Sequence, residues 1–117
     1  MSEPGGATFF NQSLGIRAGD DGASVVVDAG AEHQVAPGVV HFAVLATLAE
    51  VAAAQAAGVP VVPASVAVQL VARARPGRLV GRGRLLRRGK RMAFAEGEVT
   101  QDGELVAKAT VTFAVLS

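Results

Sequence analysis

Apolar and polar positions change period along this chain, and each change marks an element. Thr8 to Ser13 can form a short helical turn ending near Gly15. From Ile16 to Ala29 the pattern is that of a strand, interrupted by Gly19-Asp20-Asp21-Gly22, which reads as a hairpin turn. The β-branched run Val25-Val26-Val27 suits a half-buried pleated surface. Gly30 to Val40 reads as a loop with Pro37-Gly38 as its turn signal. One long helix is predicted over His41 to Ala57, stopped by Gly58 and Pro60. Inside it only Thr47, Glu50 and Gln55 are polar, so the rest of the protein must enclose it.

Strand patterns follow over Ser65 to Arg73, Leu79 to Arg88, Met92 to Thr100 and Glu104 to Leu116. Three-residue turns at Gly89-Lys90-Arg91 and Gln101-Asp102-Gly103 would set Arg88 opposite Met92 and Thr100 opposite Glu104. That register lines up Arg84, Glu96 and Lys108 in one row and sets Arg82 opposite Glu98, so unlike charges become neighbours. The other face gathers Leu85, Ala93, Ala95, Val99, Leu105, Ala107, Ala109, Val111 and Phe113, small enough to close tightly on an Ala-rich helix. Leu86, Met92 and Phe94 fall outward, where apolar groups suggest an oligomer contact. The expected fold is α+β: an antiparallel sheet of about five strands wrapped around one long central helix, in a single domain over residues 1–117. Pairing two such sheets edge to edge would protect their edges.

Composition then removes several function classes. With no cysteine among the 117 residues, a disulfide scaffold, a Cys-based zinc site and a thiol nucleophile are excluded, and two histidines cannot build a metal site unaided. No secretion-type leader and no apolar run of membrane-spanning length are evident, so a cytoplasmic location is expected. The net charge of +1 hides a segregation: residues 73–91 hold nine Arg and Lys and no acid. Such a block favours a polyanionic partner, phosphate above all. Nucleic acid is not the expected one, because stacking aromatics and groove-reading motifs are missing there. Gly81-Arg82-Gly83-Arg84 lies within a strand and lacks the strand-to-helix setting of a phosphate loop.

The order of Leu14-Gly15-Ile16, His33 through Gly38, His41-Phe42-Ala43 with Glu50 nine residues beyond the histidine, Arg75-Pro76-Gly77, Arg88-Gly89-Lys90-Arg91 and Gly103-Glu104-Leu105-Val106-Ala107 resembles the hotdog-fold acyl-CoA thioesterases, in their phenylacetate-pathway (PaaI-like) branch. The resemblance covers nearly the whole chain. It implies a hotdog fold, active sites between two protomers of a homodimer, and frequent pairing into a dimer of dimers. It implies hydrolysis of an acyl-CoA to free acid and coenzyme A, with no cofactor besides the coenzyme A of the substrate. Glu50 matches the helix carboxylate that serves as nucleophile or general base, and Ser65 a hydroxyl that the facing protomer often contributes. The family's Gly-Gly after the histidine is Phe42-Ala43 here, and Val35 stands where related enzymes often carry Asn or Gln, beside Gln34.

The residues themselves support this chemistry and leave alternatives. A carboxylate in apolar surroundings is poorly solvated and reactive toward a carbonyl, yet Glu50 can also pair with an arginine such as Arg73 or reach solvent. His41 can orient substrate or simply cap the helix, and the Phe42 N–H, at the positive end of the helix dipole, can stabilise an oxyanion while its ring serves as core. His33 and Gln34 can be functional or plain loop residues. Arg87, Arg88, Lys90 and Arg91 are assigned to the phosphates of coenzyme A, and Arg82 and Arg84 to ion pairs. The alternative to catalysis is an acyl-CoA-binding hotdog protein that has lost hydrolysis. A weaker third reading is a structural or nucleic-acid-associated subunit using the basic strip.

Overall fold

The computed structural model describes residues 9–116, so Thr8 of the expected first turn lies outside it. Helix α1 (Phe10–Ser13) leads into the hairpin of β1 (Arg17–Ala18) and β2 (Ser24–Ala29), with Arg17 opposite Val26. The stretch read as a loop holds a 3₁₀ turn (Ala31–His33) and a small ribbon of β3 (Gln34–Ala36) and β4 (Val39–Val40), closed by Pro37-Gly38. Helix α2 (Phe42–Ala57) follows, capped by His41 and ended by Gly58 in the left-handed conformation at φ 72°. Strands β5 (Val61–Leu70), β6 (Gly77–Arg88), β7 (Met92–Gln101) and β8 (Glu104–Val115) complete a six-stranded antiparallel sheet ordered β1-β2-β6-β7-β8-β5. The sheet exceeds the expected five strands by the two-residue β1.

Contact between α2 and the sheet is made backbone to backbone. Gly83 and Gly97 are partners across β6 and β7. A Cβ on Gly83 would collide with the Ala52 carbonyl, and one on Gly97 with the Ala49 carbonyl. On the helix side Ala49, Ala52 and Ala53 are sealed, so a small-residue stripe meets the glycines. Around it Leu48, Leu79, Val27, Val99, Val111 and Phe113 are fully buried. Each contributes about 1.5–3 kcal/mol relative to exposure.

The registers depart from expectation in two places. Arg84 faces Glu96 and Arg82 faces Glu98 as expected, but a bulge between Leu85 and Arg87 puts Arg88 opposite Ala93, not Met92. At the β7–β8 turn, Asp102 (φ 52°) and Gly103 (φ 81°) form a two-residue loop with Gln101 opposite Glu104, in place of the expected three-residue loop. Two successive positive φ angles are the demand of a type I′ hairpin, which Asp-Gly meets well. A second bulge between Val99 and Thr100 then restores the faces, so Lys108 lies opposite Glu98 and Thr110 opposite Glu96. Lys108 nevertheless reaches both acids, at 3.5 Å from Glu96 and 3.7 Å from Glu98. The bulge residue Val106 joins Ala107 in the core, while Leu105 is only half-buried. Leu85 stays exposed against expectation, since the helix runs out beyond the turn that covers Gly83.

The helix is enclosed on one side only. Val44, Leu45, Leu48, Ala49, Ala52, Ala53 and Ala57 are buried, but Phe42 and Ala43 are exposed, and Ala46, Thr47, Glu50, Val51 and Ala54 are half-exposed. Enclosure of the whole helix, expected from its composition, is not achieved within one chain. Among the described residues no helix is long and apolar enough to cross a membrane.

Replacing Gly97 by Ala is expected to destabilise the fold by about 3 kcal/mol or more in denaturant unfolding, because backbone must move to admit the methyl group. Gly89→Ala, whose Cβ would meet nothing nearer than the Met92 carbonyl at 3.7 Å, is expected to change stability by less than about 0.5 kcal/mol.

Candidate active site

Local sequence sets the start of α2. His41 holds an extended backbone (ψ 137°), its Nδ1 accepts the Ala43 N–H at 3.0 Å, and its carbonyl accepts the Val44 N–H at 3.0 Å. The capping role is thus realised, and the proton of a neutral His41 ring belongs on Nε2. Its ring stacks on Phe42 with centroids 4.8 Å apart. That leaves the Phe42 N–H as a first-turn donor without an acceptor among the described residues. The Phe42 side chain is 57% exposed, so it is not core.

Glu50 projects from the uncovered side of α2, near Ala46, Thr47 and Ala54 by helical spacing. It forms no ion pair or hydrogen bond among the described residues, with Arg73 or any other cation. Desolvation by its apolar neighbours raises its pKa above the ordinary 4.5. A partly buried carboxylate with nothing to compensate it is a reactive group in waiting. Eight residues separate it from Phe42 on the same helix, about 12 Å along the axis.

Two cavities flank the first turn of α2, with the stacked His41–Phe42 pair between them. One, of about 340 Å³, is lined by Phe42, Leu45, Val39, Leu70 and Arg73 among others. The other, of about 290 Å³, is lined by Phe10, Leu14, Glu32, His33, Gln34 and His41, together with Ala43 and Val44. His33 is buried and tied on both nitrogens: Nδ1 accepts the Gly30 N–H at 2.9 Å and Nε2 donates to the Leu14 carbonyl at 2.8 Å. Its own carbonyl accepts the His41 N–H at 2.8 Å, so His33 splints α1, the 3₁₀ turn and the start of α2 together. Gln34 accepts the Gly38 N–H at 2.6 Å and closes the β3–β4 turn.

The remaining candidates lie elsewhere. Ser65 is exposed on the edge strand β5, beside a bulge between Pro63 and Ser65, and lines neither cavity. Arg87, Arg88, Lys90 and Arg91 surround the β6–β7 turn at the C-terminal end of α2, away from Phe42. Arg88 donates to the Ala57 carbonyl at 2.7 Å, where the negative end of the helix favours a cation. The sequence holds no sign of that contact. Arg87, Lys90 and Arg91 are exposed and hold no carboxylate among the described residues. One cavity residue, Arg73, offers itself in the sequence only as an ion-pair partner, because nothing in its neighbourhood tells which side of the strand end it serves. Among the described residues no cluster of His, Asp and Glu could hold a metal ion.

Residues 31–114 match the family model of the acyl-CoA thioesterase N-terminal domain. A comparison with curated proteins gives no match. Among solved structures, the chain is similar to a phenylacetic acid degradation-related protein of Ralstonia eutropha JMP134 (30% identity, TM-score 0.76, covering 95% of this chain and 94% of that one). It is similar to a single-residue mutant of the phenylacetic acid degradation protein PaaI of Thermus thermophilus (28%, TM-score 0.80, 92% and 98%). A Bacillus halodurans protein solved with CoA is a third (26%, TM-score 0.82, 94% and 77%).

Because its pKa is raised, the folded state holds a proton on Glu50 more tightly than the unfolded chain does, so ionised Glu50 costs stability at neutral pH and the cost fades as pH falls. Glu50→Gln is therefore expected to raise the melting temperature at pH 7, with the gain shrinking on titration toward pH 4.5; equal melting temperatures at pH 7 would refute the assignment.

Proposed function

Since the chain belongs to the acyl-CoA thioesterase family of hotdog proteins, we propose that it hydrolyses an acyl-CoA thioester, with Glu50 as the reacting carboxylate and the Phe42 N–H as oxyanion donor. The observation that carries this reading is Glu50 itself, partly buried, uncompensated and raised in pKa on an uncovered helix face. Ionised Glu50 attacks the thioester carbonyl or takes a proton from the attacking water. Negative charge develops on the carbonyl oxygen and the carbon–sulfur bond breaks. With Glu50 as base, water oxygen bonds to the carbonyl carbon and the proton that Glu50 took from it passes to the departing thiolate. With Glu50 as nucleophile, an acyl–Glu50 anhydride forms, and the water that hydrolyses it releases the acid, frees Glu50 and supplies the proton of the thiol. A backbone donor aimed at that oxygen is worth about 10²–10³ in rate.

One protomer does not bring these two groups to a single carbonyl, because about 12 Å of helix separates them. Two α2 helices packed antiparallel on their uncovered sides would set Glu50 of one protomer beside the Phe42 N–H of its partner. The exposed edge strand β5, with Val62, Val66 and Leu70 uncovered, supports that homodimer by edge pairing. In it Ser65 would reach the partner's site. Leu86, Met92 and Phe94, exposed on the outward sheet face, suit a second contact in a dimer of dimers. Coenzyme A would be held by Arg87, Lys90 and Arg91, with Arg88 lending charge from its helix-capping position. These lie about 10 Å along α2 from Glu50, within reach of a pantetheine arm. The second reading, acyl-CoA binding without hydrolysis, draws on Phe42 and Ala43, which replace the family's glycines and put an exposed ring, stacked on His41, at the helix start.

In a thiol-release assay over aryl, short-chain and long-chain acyl-CoAs, Glu50→Ala is expected to abolish turnover of whatever the wild type hydrolyses. The acid limb of the wild-type profile should lie above pH 4.5, since Glu50 acts ionised and its pKa is raised. Binding without thiol release throughout the panel would leave the second reading.

Phe42→Pro removes the N–H while suiting the first helical position, and His41 already has the extended backbone that precedes proline. Its kcat should fall about 10²–10³-fold. Co-expression of Phe42→Pro with Glu50→Ala should restore activity, as mixed dimers rebuild one intact site. A mixture as inactive as its parts would refute the shared site.

A further inference from the structure

We infer that the cavity beside Phe42 takes the acyl group and that Arg73 at this cavity selects acyl chains ending in a carboxylate. This rests on the thioesterase reading above and deepens it to a substrate class. Along the chain before the β6–β7 turn, Arg17, Arg75, Arg78, Arg82 and Arg84 each hold an aspartate or glutamate. Arg73 forms no ion pair among the described residues, like the basic residues at the β6–β7 turn, but of these cations it alone borders the cavity of about 340 Å³.

The chemistry of the walls decides which anion fits. Val39, Val40, Leu45 and Leu70 line the cavity with hydrocarbon and offer no partner to a diphosphate or an adenine ring. The phosphates have a better site at the other end of α2, where Arg87, Lys90 and Arg91 stand without carboxylates. What suits an apolar cavity with a single guanidinium is an apolar chain with one terminal anion, held by the two-pronged fork that arginine offers a carboxylate. At this volume, near the lower bound for small-molecule sites, the chain is short to medium in length. The cavity also adjoins Phe42, so an acyl group entering it leaves its carbonyl near the helix N-terminus. The neighbouring cavity carries Glu32, which would repel the same group.

The test compares adipoyl-CoA with hexanoyl-CoA, equal in length and differing in the terminal carboxylate, for the wild type and for Arg73→Gln and Arg73→Lys. The wild type should favour adipoyl-CoA in kcat/KM by about tenfold or more, the worth of one charge-assisted hydrogen bond. Arg73→Gln should remove that preference, and Arg73→Lys, which keeps charge but not the fork, should retain part of it. Equilibrium binding of both ligands to the Glu50→Gln protein should show the same preference and the same loss. That arm holds even if no acyl-CoA is hydrolysed, which keeps a failure of the thioesterase reading separate from a failure of this one. Equal loss for both ligands in Arg73→Gln would assign Arg73 to a phosphate of coenzyme A and overturn the proposal. A shifted pH profile with an unchanged adipoyl-to-hexanoyl ratio would assign it to Glu50 of the partner subunit, and would overturn it as well.

Discussion

Everything in this fold follows from a helix lying on bare backbone. Gly83 and Gly97 face each other across two central strands, and the carbonyls of Ala52 and Ala49 occupy the space where their side chains would be. Strand alternation then sends the flanking Arg82, Arg84, Glu96 and Glu98 to the opposite face, where Arg84 holds Glu96 at 2.6 Å. These exposed pairs contribute little, on the order of 0–1 kcal/mol each. The tight seat of the helix, not the ladder of charge behind it, holds the layers together.

That seat also decides where the chemistry faces. With Ala49, Ala52 and Ala53 against the sheet, a helix of 3.6 residues per turn turns Glu50 away from it. There its neighbours by helical spacing are Ala46, Thr47 and Ala54, and partial burial raises its pKa. The fold thereby maintains a carboxylate at some cost to its own stability. The same uncovered side exposes hydrocarbon, so one face of the helix and the edge of β5 both stay uncovered within one chain.

Much of this was legible in the residues. The helix limits followed from His41 before it and Gly58 after it, and the Arg82–Glu98 and Arg84–Glu96 register from an expected three-residue turn, although Arg82 ion-pairs with Asp21 and not with the facing Glu98. The β7–β8 register was not, because the positive φ of Asp102 shortens the turn by one residue, and only a bulge at Val106 repairs the faces. Gly81, Gly83 and Gly97 carried no readable signal. A glycine in a strand has the same local meaning whether it marks a bend, a bulge or the resting place of a helix, and the partner that decides is distant in sequence.

The candidate site divides along the same line. Glu50, His41, Phe42 and the basic turn stand out as candidates from residue type and order, since a lone carboxylate in an apolar helix and a cluster of arginines are unusual wherever they occur. Their separation was not found: the basic turn stands at one end of α2 and the free N–H at the other, with Arg88 spent on the helix terminus. Nor was the task of His33, whose two ring nitrogens join residues 14 and 30, or the place of Arg73 on a cavity. Periodicity, caps and charge are local properties, so the sequence by itself determined the central helix, the main strands and which residues are candidates for the site. Which backbone a helix rests on, which cations are left unpaired and which faces stay uncovered depend on contacts between segments far apart in the chain, and only the tertiary structure decided those.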